Sequence, residues 1–552
     1  MWRRRLPLIV LAVAAFVVGL LVGSASGRAQ RQVVSDYVRA WSHGNYARMY
    51  SLLDPGSRRH LSEAAFVARY DAAARTATLT SLVPLRVGNP RGGLIAVAML
   101  ARTRLFGALH ENLLVPVVSL SSGPAVHFAG TLLFPGLRPG ERLRRVAELA
   151  PRATLLARDG TPLAEGPGRT SPIPTVAGEI VGVLGPIPRD EASTYKAAGY
   201  PPNAKVGQDG LERIFERRLA GTPGGTLLAG GRVLAFAAPV PGRTVRTTID
   251  PGLEAAAIDA LGGRYGGIAA MDPRTGQLLA LAGVAFSVLQ PPGSTMKIIT
   301  STAALQAGIV KLGDVFPIAT IATIDGYTLQ NAGGEACGGT FLNAFAVSCN
   351  SVFAPLGVRL GAARLVSMAE RFGFNQPPTI PGAAESEIPS ASTIGDSLAV
   401  GSSAIGQGRV LASVMEMTDV AATIAMGGRR PIPTLLDGQP PQFVPVTSSQ
   451  IAGLVQRMMV AVVSFGTGTA AAIPGVTVAG KTGTAELANT STTNPNNANT
   501  NSTKLTDAWF VGYAPVGHPR IVAGALFPNQ GAGGATAAPA AREVLVAGLQ
   551  SG

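Results

Sequence analysis

Cysteine is nearly absent from this chain, with two residues, Cys337 and Cys349, in 552. Histidine is almost as scarce at five, and four of these (His43, His60, His110 and His127) lie in the first quarter of the sequence. Neither residue recurs at zinc-ligand spacing, so neither a metal site nor a cofactor is expected. Chemistry built on histidine is disfavoured in the C-terminal half, where only His518 is found. Aromatic residues make up 5% of the chain, and no basic helix is interleaved with them; despite a formal charge of +14, nucleic-acid binding is not expected. No period of 20–50 residues recurs, which argues against a solenoid or propeller.

Apolar material, in contrast, is plentiful. Hydrophobic residues are 47% of the chain and charged residues 14%, enough for packed cores in three or four domains and too apolar for global disorder. One uncharged run stands out, the 18 residues Leu6–Gly23, preceded by Arg3, Arg4 and Arg5. It is just long enough to cross a bilayer, and the arginines should hold its start in the cytoplasm. A single transmembrane helix within 1–29 is therefore expected, with everything after residue 30 outside the cytoplasm. A cleaved secretory signal is the alternative, since Ser24-Ala25-Ser26 offers small residues.

Beyond the run, Val34, Tyr37, Val38 and Trp41 recur at helical spacing, YARMYSLLD repeats the pattern, and Ser62 is a candidate N-cap for a third helix. LIAVAML, NLLVPVVSL and AVHFAGTLLF then read as strands, which makes residues 30–140 a small α+β domain. Gly, Pro and Arg dominate up to about Asp250. Within that stretch GLERIFERRLA places Leu211, Ile214, Phe215 and Leu219 on one face of a helix, explained by packing alone. From 247 on, a helix precedes two strands joined by a tight turn at Pro273–Gly276. Asn489–Lys504, rich in Asn, Thr and Ser, reads as a mobile loop.

Three polar motifs carry the chemistry. In Pro291-Pro292-Gly293-Ser294-Thr295-Met296-Lys297 an extended stretch ends and a helix begins at Ser294, so Ser294 and Lys297 share a helical face. A serine hydroxyl needs an adjacent base, and a lysine can serve when burial or a second cation disfavours its charge. Ser348-Cys349-Asn350 follows 54 residues after Ser294, and Lys481-Thr482-Gly483-Thr484 begins 133 residues after Ser348. Each motif alone has an ordinary reading: a capping serine, a polar loop, a strand end. Their joint order is that of serine acyl-transfer enzymes of one family.

On these residues the chain resembles a class B penicillin-binding protein. RATLLARDGTPLAEG and GQDGLERIFERRLAGTPG are similar to the pedestal, or dimerisation-type, domain of that class, and SSAIGQGRVLASVMEMTDVAATIAMGG and DAWFVGYAP to segments of its transpeptidase domain. YVRAWSHGNYARMYSLLDPGSRRHLSEAAFVARY resembles the NTF2-like extension of the methicillin-resistance type. The resemblance implies an α+β multidomain chain: anchor 1–29, NTF2-like domain 30–140, pedestal 141–246, and a β-lactamase-like transpeptidase domain 247–552 of antiparallel sheet and helices. It implies a membrane-held peptidoglycan D,D-transpeptidase that β-lactams acylate. Ser294 would be the nucleophile and Lys297 its base; Ser348 would relay a proton. Asn350 would hold substrate backbone and Lys297, and Lys481, Thr482, Gly483 and Thr484 would take the substrate carboxylate. The backbone N–H groups of Ser294 and Thr484 would form the oxyanion hole. Stem peptides would be its substrates. With no room for a glycosyltransferase domain, glycan strands would come from a separate polymerase.

Two features depart from the family. Only seven residues, Val284–Gln290, separate the LLALAG strand from Pro291, where relatives carry a longer insertion. Cys349 lies inside the middle motif and, outside the cytoplasm, is a candidate disulfide partner of Cys337 that would rigidify the Ser348 loop. A β-lactamase or a D,D-carboxypeptidase would share all three motifs; the pedestal-like segment favours the transpeptidase. A non-catalytic sensor is disfavoured because every motif position is filled.

Overall fold

The computed structural model describes residues 27–486 and 506–551. The expected anchor, Leu6–Gly23, and the expected mobile loop, Asn489–Lys504, lie outside the described residues. Among the described residues no single helix is long and apolar enough to cross a membrane. The described residues form two compact units: one gathers residues 27–153 with 184–206 and 220–243, the other gathers 154–183, 207–219, 244–486 and 506–551. Residues 141–246, expected as one pedestal, are thus shared between the two.

The first unit opens with four helices, α1 (27–42), α2 (Tyr46–Ser51), α3 (Pro55–His60) and α4 (Glu63–Ala77). Ser62 caps α4, its side chain accepting from Ala65 N; Asp54 caps α3 through Ser57 N. Four antiparallel strands follow in the order β1 (Leu79–Val87), β2 (Leu94–Thr103), β3 (Gly107–Leu120) and β4 (Gly123–Val126). Alternation along β2 sends Ile95, Val97 and Met99 into a core with Tyr37, Trp41, Phe66 and Tyr70. AVHFAGTLLF does not continue as a strand. Pairing stops at Val126, and a turn of 3₁₀ helix at Gly130–Leu133 swings Leu132 and Phe134 into that core instead. A second sheet joins β5 (Leu143–Glu148) to β6 (Gly224–Ala229) and β7 (Arg232–Ala237), in the order β7-β6-β5.

In the second unit the expected helix over 210–219 is broken at Phe215 into α5 (Gly210–Ile214) and α6 (Glu216–Leu219). Packing accounts for Leu211 and Leu219, but two carboxylates are buried beside them. Glu212 accepts from Arg169 Nε at 2.6 Å, and Glu216 from Gly207 N at 2.7 Å. Buried charges persist only with such partners, so this face is polar as well as apolar.

Asp250 caps α7 (Pro251–Leu261), with Pro251 supplying the first-turn φ. The hairpin β8 (Gly267–Asp272) and β9 (Gln277–Gly283) turns at residues 273–276, and a five-stranded antiparallel sheet is completed by β10 (Ala479–Glu486), β11 (Thr506–Ala514) and β12 (Ile521–Phe527), in the order β9-β8-β12-β11-β10. Every residue of β8 and β12 is buried, as expected for central strands covered on both faces. One face carries α7 and a C-terminal helix, Ala537–Gln550; the other packs against helices that include Val414–Ala425. β10 is an edge strand and carries Lys481.

Candidate active site

The Pro-Pro-Gly sequence ends an extended entry, and Gly293–Met296 forms a 3₁₀ turn that leads into α8 (Lys297–Gln306). The α-helix therefore starts three residues later than expected, with Ser294 in the turn before it. Gly293 has φ of 52°, and its N–H donates to Gly406 O at 2.9 Å. Gly406, first glycine of the Gly-Gln-Gly segment, also has positive φ, at 75°, and any Cβ there would collide with the Gly293 backbone. On the other side, a Cβ at Gly293 would lie 3.1 Å from the Thr484 carbonyl. The Ser294 turn is thus clamped between the Gly406 loop and β10.

The middle motif sits between two short helices, α9 (Phe341–Ala346), capped by Thr340, and α10 (Asn350–Leu360). Ser348 occupies the left-handed region at φ 63°, unusual for serine, which turns its carbonyl and hydroxyl toward Lys297. Lys297 Nζ donates to Ser348 O at 2.7 Å and to Asn350 Oδ1 at 2.7 Å, and approaches Ser348 Oγ at 3.3 Å. From the opposite side Lys481 Nζ donates to the same Ser348 Oγ at 2.8 Å and to Thr482 O at 3.0 Å. Cys349 is joined to Cys337 by a disulfide, which ties the motif loop to the strand Cys337–Thr340.

Both lysines are 0% exposed. Burial holds Lys297 well below the ordinary lysine range and the Lys481 charge pushes it further down; burial lowers Lys481 to about 7. Among the described residues no carboxylate pairs with either. A base and a second cation around one hydroxyl, with no counter-anion, can deprotonate a serine one turn away and receive an anionic substrate group. Ser294 is half-buried, and its hydroxyl makes no hydrogen bond among the described residues.

Of the expected site residues, the structure brings Lys297, Ser348, Asn350 and Lys481 into one network and sets the Ser294 turn against Thr484. The Thr482 hydroxyl is engaged elsewhere, with Thr467 Oγ1 at 2.5 Å, and Thr484 Oγ1 accepts from Gly533 N at 3.3 Å. Sequence reasoning missed Thr467. It also missed Asn331, a buried side chain that accepts from Ser351 N at 2.8 Å and donates to Ala319 O at 2.7 Å and Glu335 O at 2.8 Å, anchoring the motif loop. The Asn350 amide donates to Gln330 O at 3.0 Å. No local pattern marks Thr467 or Asn331, since each acts across a turn far from its partner in sequence.

Residues 266–546, just over half the chain, match the penicillin binding protein transpeptidase domain, and residues 159–230 match the penicillin-binding protein dimerisation domain. The chain belongs to the penicillin-binding protein transpeptidase family. It is a class B, PbpA-like member with dimerisation and transpeptidase domains in an α+β arrangement. Among its relatives, the peptidoglycan D,D-transpeptidase PbpA of Mycobacterium tuberculosis is 32% identical over 402 residues, which cover 61% of this chain and 76% of that protein. The peptidoglycan D,D-transpeptidase MrdA of Acinetobacter baumannii is 26% identical, over 65% of this chain and 62% of its own. Similar solved structures include penicillin-binding protein A of M. tuberculosis as an imipenem acyl-enzyme complex, at 27% identity and TM-score 0.56, covering 72% of this chain and 99% of that one. Another is the D,D-transpeptidase domain of a peptidoglycan glycosyltransferase from Eggerthella lenta, at 28% identity and TM-score 0.59, covering 73% of this chain and 99% of that one.

Proposed function

We propose that this penicillin-binding protein is a peptidoglycan D,D-transpeptidase that cross-links stem peptides through an acyl-enzyme on Ser294 and is acylated by β-lactams at the same atom. The observation that carries the reading is the Ser348 hydroxyl held between the Lys297 and Lys481 ammonium groups, beside the Ser294 turn. Lys297, its charge disfavoured by burial and by the Lys481 charge, takes the Ser294 proton as Oγ attacks the carbonyl of the penultimate D-alanine. The N–H groups of Ser294 and Thr484 receive the developing oxyanion. Ser348 passes a proton to the departing D-alanine amine, and the amine of a second stem peptide then releases the acyl group. Lys481, with Thr482, Gly483 and Thr484 on the edge strand, receives the terminal carboxylate.

The finer reading of the rest follows the sequence. Leu6–Gly23 anchors the chain in the cell membrane with the catalytic part outside. The helices and four-stranded sheet of the first unit are an NTF2-like extension of the methicillin-resistance type, which suits a role in antibiotic resistance. A separate polymerase supplies the glycan strands. A D,D-carboxypeptidase or a β-lactamase remains the competing chemistry, because water in place of the acceptor amine needs no different residue.

A fluorescent penicillin followed for an hour on the soluble part, residues 30–552, tests this. Stable label on wild type and none on Ser294→Ala is expected; label that appears and decays within minutes would replace the transpeptidase by a lactamase.

A further inference from the structure

Each ammonium of the site lies over an aromatic ring: Lys297 Nζ is 5.3 Å from the centroid of Phe353, and Lys481 Nζ is 5.5 Å from that of Phe345. The two rings pack against each other at 6.0 Å, and Phe341 stacks on Phe353 at 5.3 Å. Phe341, Phe345 and Phe353 are all fully buried. They form an apolar floor beneath two cations that pair with no anion among the described residues. The charge acting on Lys297 is that of Lys481. Acids and bases on the helices around α8 look elsewhere: Arg359 donates to Ile309 O and Arg364 to Leu360 O, and Asp419, beside Glu416, faces Arg430.

With both ammonium groups desolvated and sharing one hydroxyl, two charges repel and a single proton is favoured. Where that proton sits decides the chemistry: Lys297 must be neutral to act as base, and Lys481 charged to hold a carboxylate. A ring face attracts a cation within about 6 Å, and more strongly when water is excluded.

We propose that Phe353 and Phe345 are positioning residues that set the proton balance between Lys297 and Lys481, each ring steadying the cation above it and so fixing one limb of the pH dependence of acylation. This rests on the transpeptidase reading of the site. The Phe345 ring keeps Lys481 charged, while the Phe353 ring limits how readily Lys297 gives up its proton. The two rings therefore govern opposite limbs.

Fluorinated phenylalanines keep the shape of the ring while weakening its negative face in steps. Mono-, di- and trifluorophenylalanine placed at 353, and separately at 345, would be compared with wild type and with Phe353→Leu. The readout is the second-order rate of acylation by a chromogenic cephalosporin between pH 5 and 10. At 353 the acid limb should move to lower pH in step with fluorination, by about half a unit in all. At 345 the alkaline limb should move down by a similar amount, with weaker capture of the carboxylate-bearing substrate and an unchanged acid limb. Limbs that stay fixed across both series, or one limb answering to both positions, would overturn the inference while leaving acylation intact. A wild type that is never acylated would overturn the transpeptidase reading and this inference with it.

Discussion

The two units of the molecule bury polar groups in opposite ways. In the first, the Asp54 carboxylate caps α3 through Ser57 N, takes the Ser57 hydroxyl and lies 3.1 Å from His127 Nδ1, while the same hydroxyl accepts from Phe128 N at 2.9 Å. Serine, histidine and aspartate stand together here, yet every bond closes within the cluster, and the serine hydroxyl is already spent on the backbone. In the second unit two lysines are buried around one hydroxyl, and no carboxylate among the described residues balances them. A polar cluster whose charges are compensated holds a fold together; one left uncompensated costs stability and waits for a ligand.

The largest effect should come from the uncompensated side. Lys297→Ala is expected to slow β-lactam acylation by about 10²–10⁴-fold, the usual worth of a general base, measured by stopped-flow with a chromogenic substrate. Cys337→Ser with Cys349→Ser opens a loop spanning 12 residues of sequence separation. Closing such a loop is worth about 3 kcal/mol, so denaturant unfolding should show a loss of that order, with slower acylation because the Ser348 loop loses its tether.

On the compensated side the expectation reverses. Ser57→Ala removes one buried and one partly buried hydrogen bond and should cost about 1–3 kcal/mol of stability while leaving the acylation rate of folded protein unchanged. An acylation defect at Ser57 would break the contrast. The smallest effect is a slope. Burial lowers Lys481 to about 7 in the folded chain, below its value when unfolded. The unfolded chain thus binds more protons between that pH and the ordinary lysine range, so stability rises as pH increases across this window. Melting temperatures of wild type and Lys481→Met between pH 6 and 10 should show the slope in wild type and its flattening in the variant.

Sequence alone revealed those parts of the fold and site that rest on local rules. The i, i+3 relation of Ser294 and Lys297, the cap at Ser62 and the turn at residues 273–276 each depend on a few neighbouring residues. Much of the rest depends on partners distant in the chain. AVHFAGTLLF has strand-like composition, but the core claims Leu132 and Phe134 from a 3₁₀ turn. The break at Phe215 accompanies the burial of Glu212 and Glu216 against Arg169 and Gly207, which no apolar stripe could announce. Thr467 reaches Thr482, and Asn331 reaches Ser351, only once β10 and the motif loop are in place. No local pattern marks the rings under the lysines, and their relation to Nζ exists only in three dimensions.

The central claim is that Ser294 becomes acylated and stays so. Intact-mass spectrometry of the soluble chain with benzylpenicillin, followed by peptide mapping, tests it most directly. The account predicts one penicilloyl adduct, carried by the peptide containing Ser294, persisting over an hour and absent from Ser294→Ala. An adduct that survives in Ser294→Ala, or one that maps to another residue, would contradict it.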